Sequence, residues 1–149
     1  MRGAFKADGY GSVGDYGFES VTVWCTAAVT AGNWIAMQVS NTTNPAALEG
    51  FSFVTADLTD VGADYDTIGV AMATTTAAGF VQVQVAGRYA SANVATAAAI
   101  GTPLCISTVA GRAEEATTQA GSFRILGRVL AEEAGDLATV WLYPHPVLA

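Results

Sequence analysis

An alternating stretch, residues 67–87, constrains the fold of this chain more strongly than any other part of its sequence. Its second half alternates strictly, so that Val81, Val83 and Val85 share one face of an extended strand. The segment that joins the two halves, residues 74–79, is short, consists mostly of small residues and ends in glycine. These features are common in hairpin loops. The pattern predicts an antiparallel β-hairpin with one buried face and one mixed face.

A similar arrangement recurs near the C-terminus, where residues 126–131 precede a turn and residues 137–142 alternate again. When the two stretches are aligned, Gly127 falls opposite Gly69. Two such hairpins in one small chain favour an antiparallel sheet that is closed into a barrel or packed as a sandwich. They are either copies of an internal repeat or unrelated hairpins that follow the same strand rules, and both interpretations stay open at this point.

Shorter strand-like runs accompany the hairpins, at residues 21–25, 34–39, 51–54 and 104–107. The alanine-rich run at residues 91–100 predicts one short helix, because Ala has the highest helix propensity. Two prolines near the C-terminus are expected to prevent any further central strand. The chain is therefore predicted to be all-β and mainly antiparallel, with at most one short helix, in a single domain that covers residues 19–149.

Residues 1–18 combine five glycines with four aromatic side chains and show neither helical nor strand periodicity. We interpret them as an extended, flexible N-terminal arm. Aromatic residues on such an arm provide a large contact area if the arm orders against a partner surface. A terminus that is merely disordered is the alternative.

The composition favours a chain that hides surface in an oligomer or on a larger assembly. Only 13% of its residues are charged and 52% are hydrophobic, whereas about 25% charged residues are typical. The net charge of −7 argues against nucleic-acid binding, which requires clustered Lys and Arg. No apolar run is long enough for a membrane span, and the first residues lack the apolar core of a secretory signal, so we expect a cytoplasmic protein or one assembled there.

The residue types that carry catalysis or bind metals are sparse. The only histidine, His145, lies between two prolines near the C-terminus, which argues against a catalytic triad. Cys25 and Cys105 lie in apolar strand-like runs without a shared motif and are predicted to be buried, reduced thiols. We therefore predict no catalytic, cofactor-binding or metal-binding residue.

Acidic residues are the remaining candidates for chemistry. The loop at residues 57–66 carries Asp57, Asp60, Asp64 and Asp66, but its spacing does not match an EF-hand. The pairs Glu114-Glu115 and Glu132-Glu133 are adjacent in sequence, so their side chains diverge on a strand or face water in a turn. All of these carboxylates are interpreted as solvated charge.

Four segments in succession carry a resemblance to a known family. They are a glycine-containing strand after an acidic loop, a Val-x-Val-x-Val strand ending in glycine, the sequence Gly101-Thr102-Pro103-Leu104 after a small-residue run, and residues 125–130 leading into the strand at 140–142. Together they cover roughly residues 61–144. This succession is similar to that of the capsid decoration, or cement, proteins of tailed bacteriophages.

The resemblance implies a small β-barrel or β-tulip domain that forms a homotrimer and binds the outer surface of the phage head. Its partner would be the major capsid protein, whose neighbouring subunits it would hold together against the pressure of the packaged DNA. The chain would then be a virion protein assembled in the host cytoplasm, without a cofactor or an enzymatic activity. The aromatic residues expected to contact the capsid or other copies are Phe5, Tyr10, Tyr16, Phe18, Trp24, Trp34 and Trp141.

Three other functions fit parts of the pattern. A carbohydrate-binding β-sandwich would use exposed aromatic side chains to stack on sugars and would act as a monomer. A head-fibre or tail component would share the composition but extend beyond this domain. A small hydrolase would need His145 enclosed in a pocket, which nothing in the sequence suggests.

Overall fold

The computed structural model describes residues 19–37, 52–57, 67–96, 98–116 and 124–148. Within these ranges the chain is almost entirely β-structure and contains no α-helix, which confirms the predicted all-β class. The predicted arm, with Phe5, Tyr10, Tyr16 and Phe18, lies outside the described residues, as do three aspartates of the acidic loop. The strands are β1 (Glu19–Cys25), β2 (Trp34–Met37), β3 (Phe53–Thr55), β4 (Thr67–Ala71), β5 (Gly79–Asn93), β6 (Pro103–Ile106), β7 (Ala113–Glu115), β8 (Arg124–Glu132) and β9 (Leu137–Leu148).

The first five strands form a closed barrel, which we call barrel 1. Its strand order is β1-β3-β2-β4-β5, and antiparallel pairing of β5 with β1 closes the circle. The pairing of β1 with β3 is parallel, with Cys25 opposite Phe53. Apolar side chains that alternate along the strands fill the interior, as the hairpin pattern predicts: Val23, Cys25, Val29, Ile35, Phe53, Ala71, Val81 and Val83.

The second half of β5 begins another sheet, with the order β5-β9-β8-β6-β7. A parallel bridge between Val94 and Ala113 connects β7 back to the end of β5. The amide of Ala95 also donates a hydrogen bond to the carbonyl of Ala113 at 2.8 Å. This sheet therefore closes as well, and we call it barrel 2. Strand β5, 15 residues long, belongs to both barrels.

The two barrels repeat the same strand order and the same register. In barrel 1, Ile35 is opposite Gly69 and Ala71 is opposite Val83. In barrel 2, the corresponding pairs are Leu104 with Gly127 and Val129 with Val140.

The turns that enter β2 and β6 also agree. Gly32 donates to the carbonyl of Ala71 at 2.9 Å, and Gly101 donates to that of Val129 at 2.8 Å. Both glycines have a positive φ, 91° and 87°, which L-residues rarely adopt. The similarity of the two hairpins is thus part of an internal repeat that spans both barrels.

One local prediction is wrong. The helix predicted at residues 91–100 is absent from its described part, because residues 91–93 complete β5, in which Ala92 and Asn93 pair with β9. Strand pairing here outweighs the helix propensity of alanine. Strand β9 continues through the two prolines to Leu148. Among the described residues, β9 beyond Leu142 pairs with β8 and with no other strand, and proline is tolerated at such an edge.

The outer face of barrel 1 packs on barrel 2. Trp34, Ala36 and Val70 are buried in the same cluster as the interior of barrel 2. The indole Nε1 of Trp34 donates to the carbonyl of Asn93 at 2.9 Å. The hydroxyl of Tyr89 donates to the carbonyl of Ala71 at 2.8 Å. Apolar burial and these buried hydrogen bonds together fix the two barrels against each other.

Candidate protein-binding surface

An exposed aromatic pair lies on the outer face of barrel 1. Trp24 of β1 and Phe80 of β5 are directly opposite each other across the two strands. Their ring centroids are 5.1 Å apart, with the ring planes at 79°, an edge-to-face arrangement that is favourable for aromatic rings. Trp24 is 41% exposed and Phe80 is 70% exposed. Large apolar side chains exposed together in this way are typical of protein-binding surfaces.

Strand alternation positions this pair. Val23 and Cys25 point into barrel 1, so Trp24 between them points outward. The rest of the outward row is polar but uncharged: Ser20, Thr22 and Gln82, with the Gln82 amide donating to the Ser20 hydroxyl at 2.9 Å. The result is an aromatic centre beside a polar, uncharged border, which matches the usual anatomy of a protein interface.

The three tryptophans predicted as contact residues are not brought together. Trp24 lies on barrel 1, whereas Trp141 lies on β9 of barrel 2 and is 37% exposed. Trp34 does not point outward, because it fills the junction between the barrels and is only 1% exposed. Phe80 was missed by the sequence analysis, although its position at the start of the mixed face of the first hairpin was a signal for it.

Trp141 lies beside a polar partner. It is opposite Arg128 of β8, and the guanidinium Nε of Arg128 donates to the hydroxyl of Tyr143 at 2.9 Å. The surface of barrel 2 around β8 and β9 therefore combines an indole ring with a cation, whereas the described neighbours of Trp24 in its outward row are uncharged.

Glu133 remains accessible to solvent, as predicted, but it is also held by hydrogen bonds within the chain. It accepts hydrogen bonds from the amide and the hydroxyl of Ser91, at 2.9 and 2.7 Å, and from the hydroxyl of Thr139 at 2.9 Å. These bonds, above all the one from the Ser91 hydroxyl, lower the pKa of Glu133 below its usual value. Ser91 has φ of 60° at the irregularity between Tyr89 and Ala92, so Glu133 braces β5 where it bulges.

A second carboxylate braces the far end of β5. Asp136 accepts a hydrogen bond from the hydroxyl of Thr96. Its carboxylate also forms an ion pair with the guanidinium of Arg112, with 2.7 Å between nitrogen and oxygen. The Thr96 hydrogen bond is the main reason that the pKa of Asp136 is lowered. Both carboxylates are therefore held by hydrogen bonds that connect the end of β5 to the β8–β9 hairpin.

The described residues offer little for small-molecule chemistry. Cys25 and Cys105 are buried, as predicted, and form no disulfide with each other; burial raises the pKa of the Cys25 thiol. A cleft between the barrels, lined by Trp34, Val85 and Leu126 among others, has a volume of about 10 Å³, which is room for roughly one water molecule. Across the described ranges no three His, Cys, Asp or Glu side chains are grouped as metal ligands. The same ranges hold no helix of the length and apolarity that crossing a membrane requires.

The fold is similar to that of a solved phage protein, the N base of the head fibre gp8.5 of bacteriophage phi29. The TM-score is 0.53 with 15% sequence identity, over 87% of this chain and 98% of the phi29 chain. The two chains share a fold. No family model and no curated protein matches the sequence.

Proposed function

We propose that this chain is a structural virion protein that binds the outer surface of a tailed-phage head through the major capsid protein, as a homotrimer. The observation that carries the proposal is the fold similarity to the phi29 head-fibre base, which covers 87% of this chain and nearly all of the other. The low content of charged residues supports it, because such a chain is expected to bury surface in an assembly.

The Trp24–Phe80 pair is the proposed contact with the capsid protein. Tryptophan and other large aromatic residues contribute a disproportionate share of the binding free energy at protein interfaces. Both rings lie on strands of a closed barrel, so their positions are fixed before binding and little conformational entropy is lost. Binding would be mechanical, with no bond made or broken.

Two forms of this function are distinguishable by what binding does to the head. A decoration protein bridges neighbouring capsid subunits and raises the resistance of the head to heat. A head-fibre base anchors a longer fibre and leaves that resistance unchanged. The fold similarity favours the fibre base, and the resemblance of the hairpins to decoration proteins favours the bridge.

The test is co-sedimentation of the purified protein with heads assembled from the major capsid protein encoded in the same genome. We expect the wild-type protein to sediment with the heads, and Phe80→Ser to lose most of this binding. Leu137→Ser is the matched control, because Leu137 occupies the position in barrel 2 that Phe80 occupies in barrel 1 and is also an exposed apolar side chain, 40% against 70%. Wild-type protein that is folded but stays in the supernatant would refute the proposal, and equal loss in both variants would refute the role of the pair.

A further inference from the structure

The internal repeat shows which surface one barrel uses to bind the next. Three residues that are opposite one another across β2, β4 and β5 form a row, Trp34, Val70 and Gln84, which we call the first row. All three are buried, and Trp34 and Val70 share a cluster with the interior of barrel 2. They cover an end of barrel 2 formed by Tyr89, Leu126 and Leu142. The apolar surface that this end would expose is thereby removed from water.

Barrel 2 carries the equivalent row on an open surface. The register places Pro103, Arg128 and Trp141 opposite one another across β6, β8 and β9, in the positions of the first row. We call these residues the second row. Pro103 is half-buried, whereas Arg128 and Trp141 are exposed.

Barrel 1 carries the equivalent of the covered end. By the same register, Val21 corresponds to Tyr89, Ile68 to Leu126 and Val85 to Leu142. We call Val21, Ile68 and Val85 the open end. Val21 is 43% exposed, and Ile68 and Val85 are partly buried at the edge of the cleft that they share with Leu126 and Leu142. In the covered end Leu126 and Leu142 are buried and Tyr89 is partly buried.

We propose that a second copy of this chain joins these two surfaces, the second row of one copy packing on the open end of barrel 1 in the next. This inference rests on the self-association in the proposed function and names the surfaces responsible for it. The contact between copies would repeat the contact that the two barrels already make within one chain. Trp141 would supply the aromatic anchor and the alkyl stem of Arg128 further apolar area over the three aliphatic side chains.

The geometry of such a contact is head to tail, because the two participating surfaces are different. A contact of this type generates a closed ring when its rotation closes and a filament when it does not. The two surfaces of a head-to-tail contact can also be mutated independently, so that a variant loses its second row and keeps its open end. In a symmetric dimer one mutation alters both sides of the contact, because both copies use the same patch.

The experiment uses full-length protein and measures native mass by light scattering after gel filtration. We expect the wild-type protein to be an oligomer and two surface variants to be monomers: Trp141→Ser in the second row and Val21→Lys in the open end. Arg128→Glu replaces the first of these if it fails to fold, as judged by circular dichroism. Leu137→Ser is the matched control, because Leu137 is an exposed apolar residue on the outer face of the same strand, about 13 Å from Trp141.

Mixing provides the decisive step. The Trp141→Ser copy keeps an open end and the Val21→Lys copy keeps a second row, so an equimolar mixture should form a dimer and nothing larger. A wild-type monomer would overturn both this inference and the proposed self-association. A wild-type oligomer that both variants retain, or a mixture that stays monomeric, would overturn the inference alone and leave the proposed function standing.

Discussion

Gly69 and Gly127 lie at the same point of two consecutive barrels. A Cβ atom on Gly69 would come within 2.0 Å of the carbonyl oxygen of Gln84, and one on Gly127 would come within 2.1 Å of the carbonyl oxygen of Trp141. Each glycine thus lets a strand approach the backbone of its hairpin partner more closely than any side chain would allow. The same need for a glycine at this position in both barrels is strong evidence that they are two copies of one structural repeat.

Substituting either glycine by alanine should therefore destabilise the protein. We expect Gly69→Ala and Gly127→Ala each to lower the free energy of unfolding by about 1–3 kcal/mol or more, because the obstacle is backbone rather than a flexible side chain. Urea unfolding followed by circular dichroism measures this change. Gly79→Ala is the control, because a Cβ there meets nothing within 4 Å. If all three variants unfold at the same urea concentration, the close approach has no energetic role.

The hairpins were predictable because alternation and loop glycines are local signals, and both act over a few residues. The full repeat was not, because the spacing between equivalent positions changes along the chain. Leu104 follows Ile35 by 69 residues, whereas Val140 follows Val83 by 57. Because the loops differ in length, the repeat has no constant period in the sequence. It is recognisable from the register of the hydrogen-bonded strands.

The tryptophans show where local signals fail. The sequence pattern around Trp34 is that of an ordinary strand, and its burial depends on barrel 2, which is distant in sequence. The exposure of Trp24 likewise depends on which face of β1 lines the interior of barrel 1. The hydrogen bonds of Glu133 were not predictable from the sequence, because its partners Ser91 and Thr139 come together only through the bulge in β5 and its pairing with β9.

The different positions of these tryptophans predict different effects of substitution. Trp34→Ala should cost about 3–5 kcal/mol of unfolding free energy, because it empties the junction between the barrels. Trp24→Ala should cost far less, because the side chain is exposed. Thermal unfolding of both variants against wild type tests this difference. Equal costs would contradict the assignment of Trp34 to the junction.

The stabilising effect of Glu133 should depend on pH. The pKa of Glu133 is lowered from 4.5 in the folded protein, so the ionised form is favoured by folding. Its contribution is complete above the pKa of the unfolded chain and is lost as the pH falls through the lower pKa of the folded protein. Glu133→Gln should therefore lower stability at about pH 7 but much less at about pH 3. A pH-independent effect of Glu133→Gln would argue against a role of the ionised carboxylate in holding β5 at its bulge.

The two thiols should be unreactive until the protein unfolds. Cys25 and Cys105 are buried, and the raised pKa of Cys25 further reduces its thiolate fraction at neutral pH. A colorimetric thiol reagent should release almost no signal from the native protein and two equivalents in denaturant. Rapid reaction of either thiol in native buffer would show that its barrel opens readily.

Electron cryomicroscopy of heads mixed with an excess of the protein tests the proposed function most directly. The heads should be assembled from the major capsid protein of the same genome and should lack the protein beforehand. We predict regularly spaced density on the outer surface of the head into which the double barrel fits, with the Trp24–Phe80 face towards the capsid. Bare heads in the presence of folded, soluble protein would contradict the central claim that this chain is a head-binding structural protein.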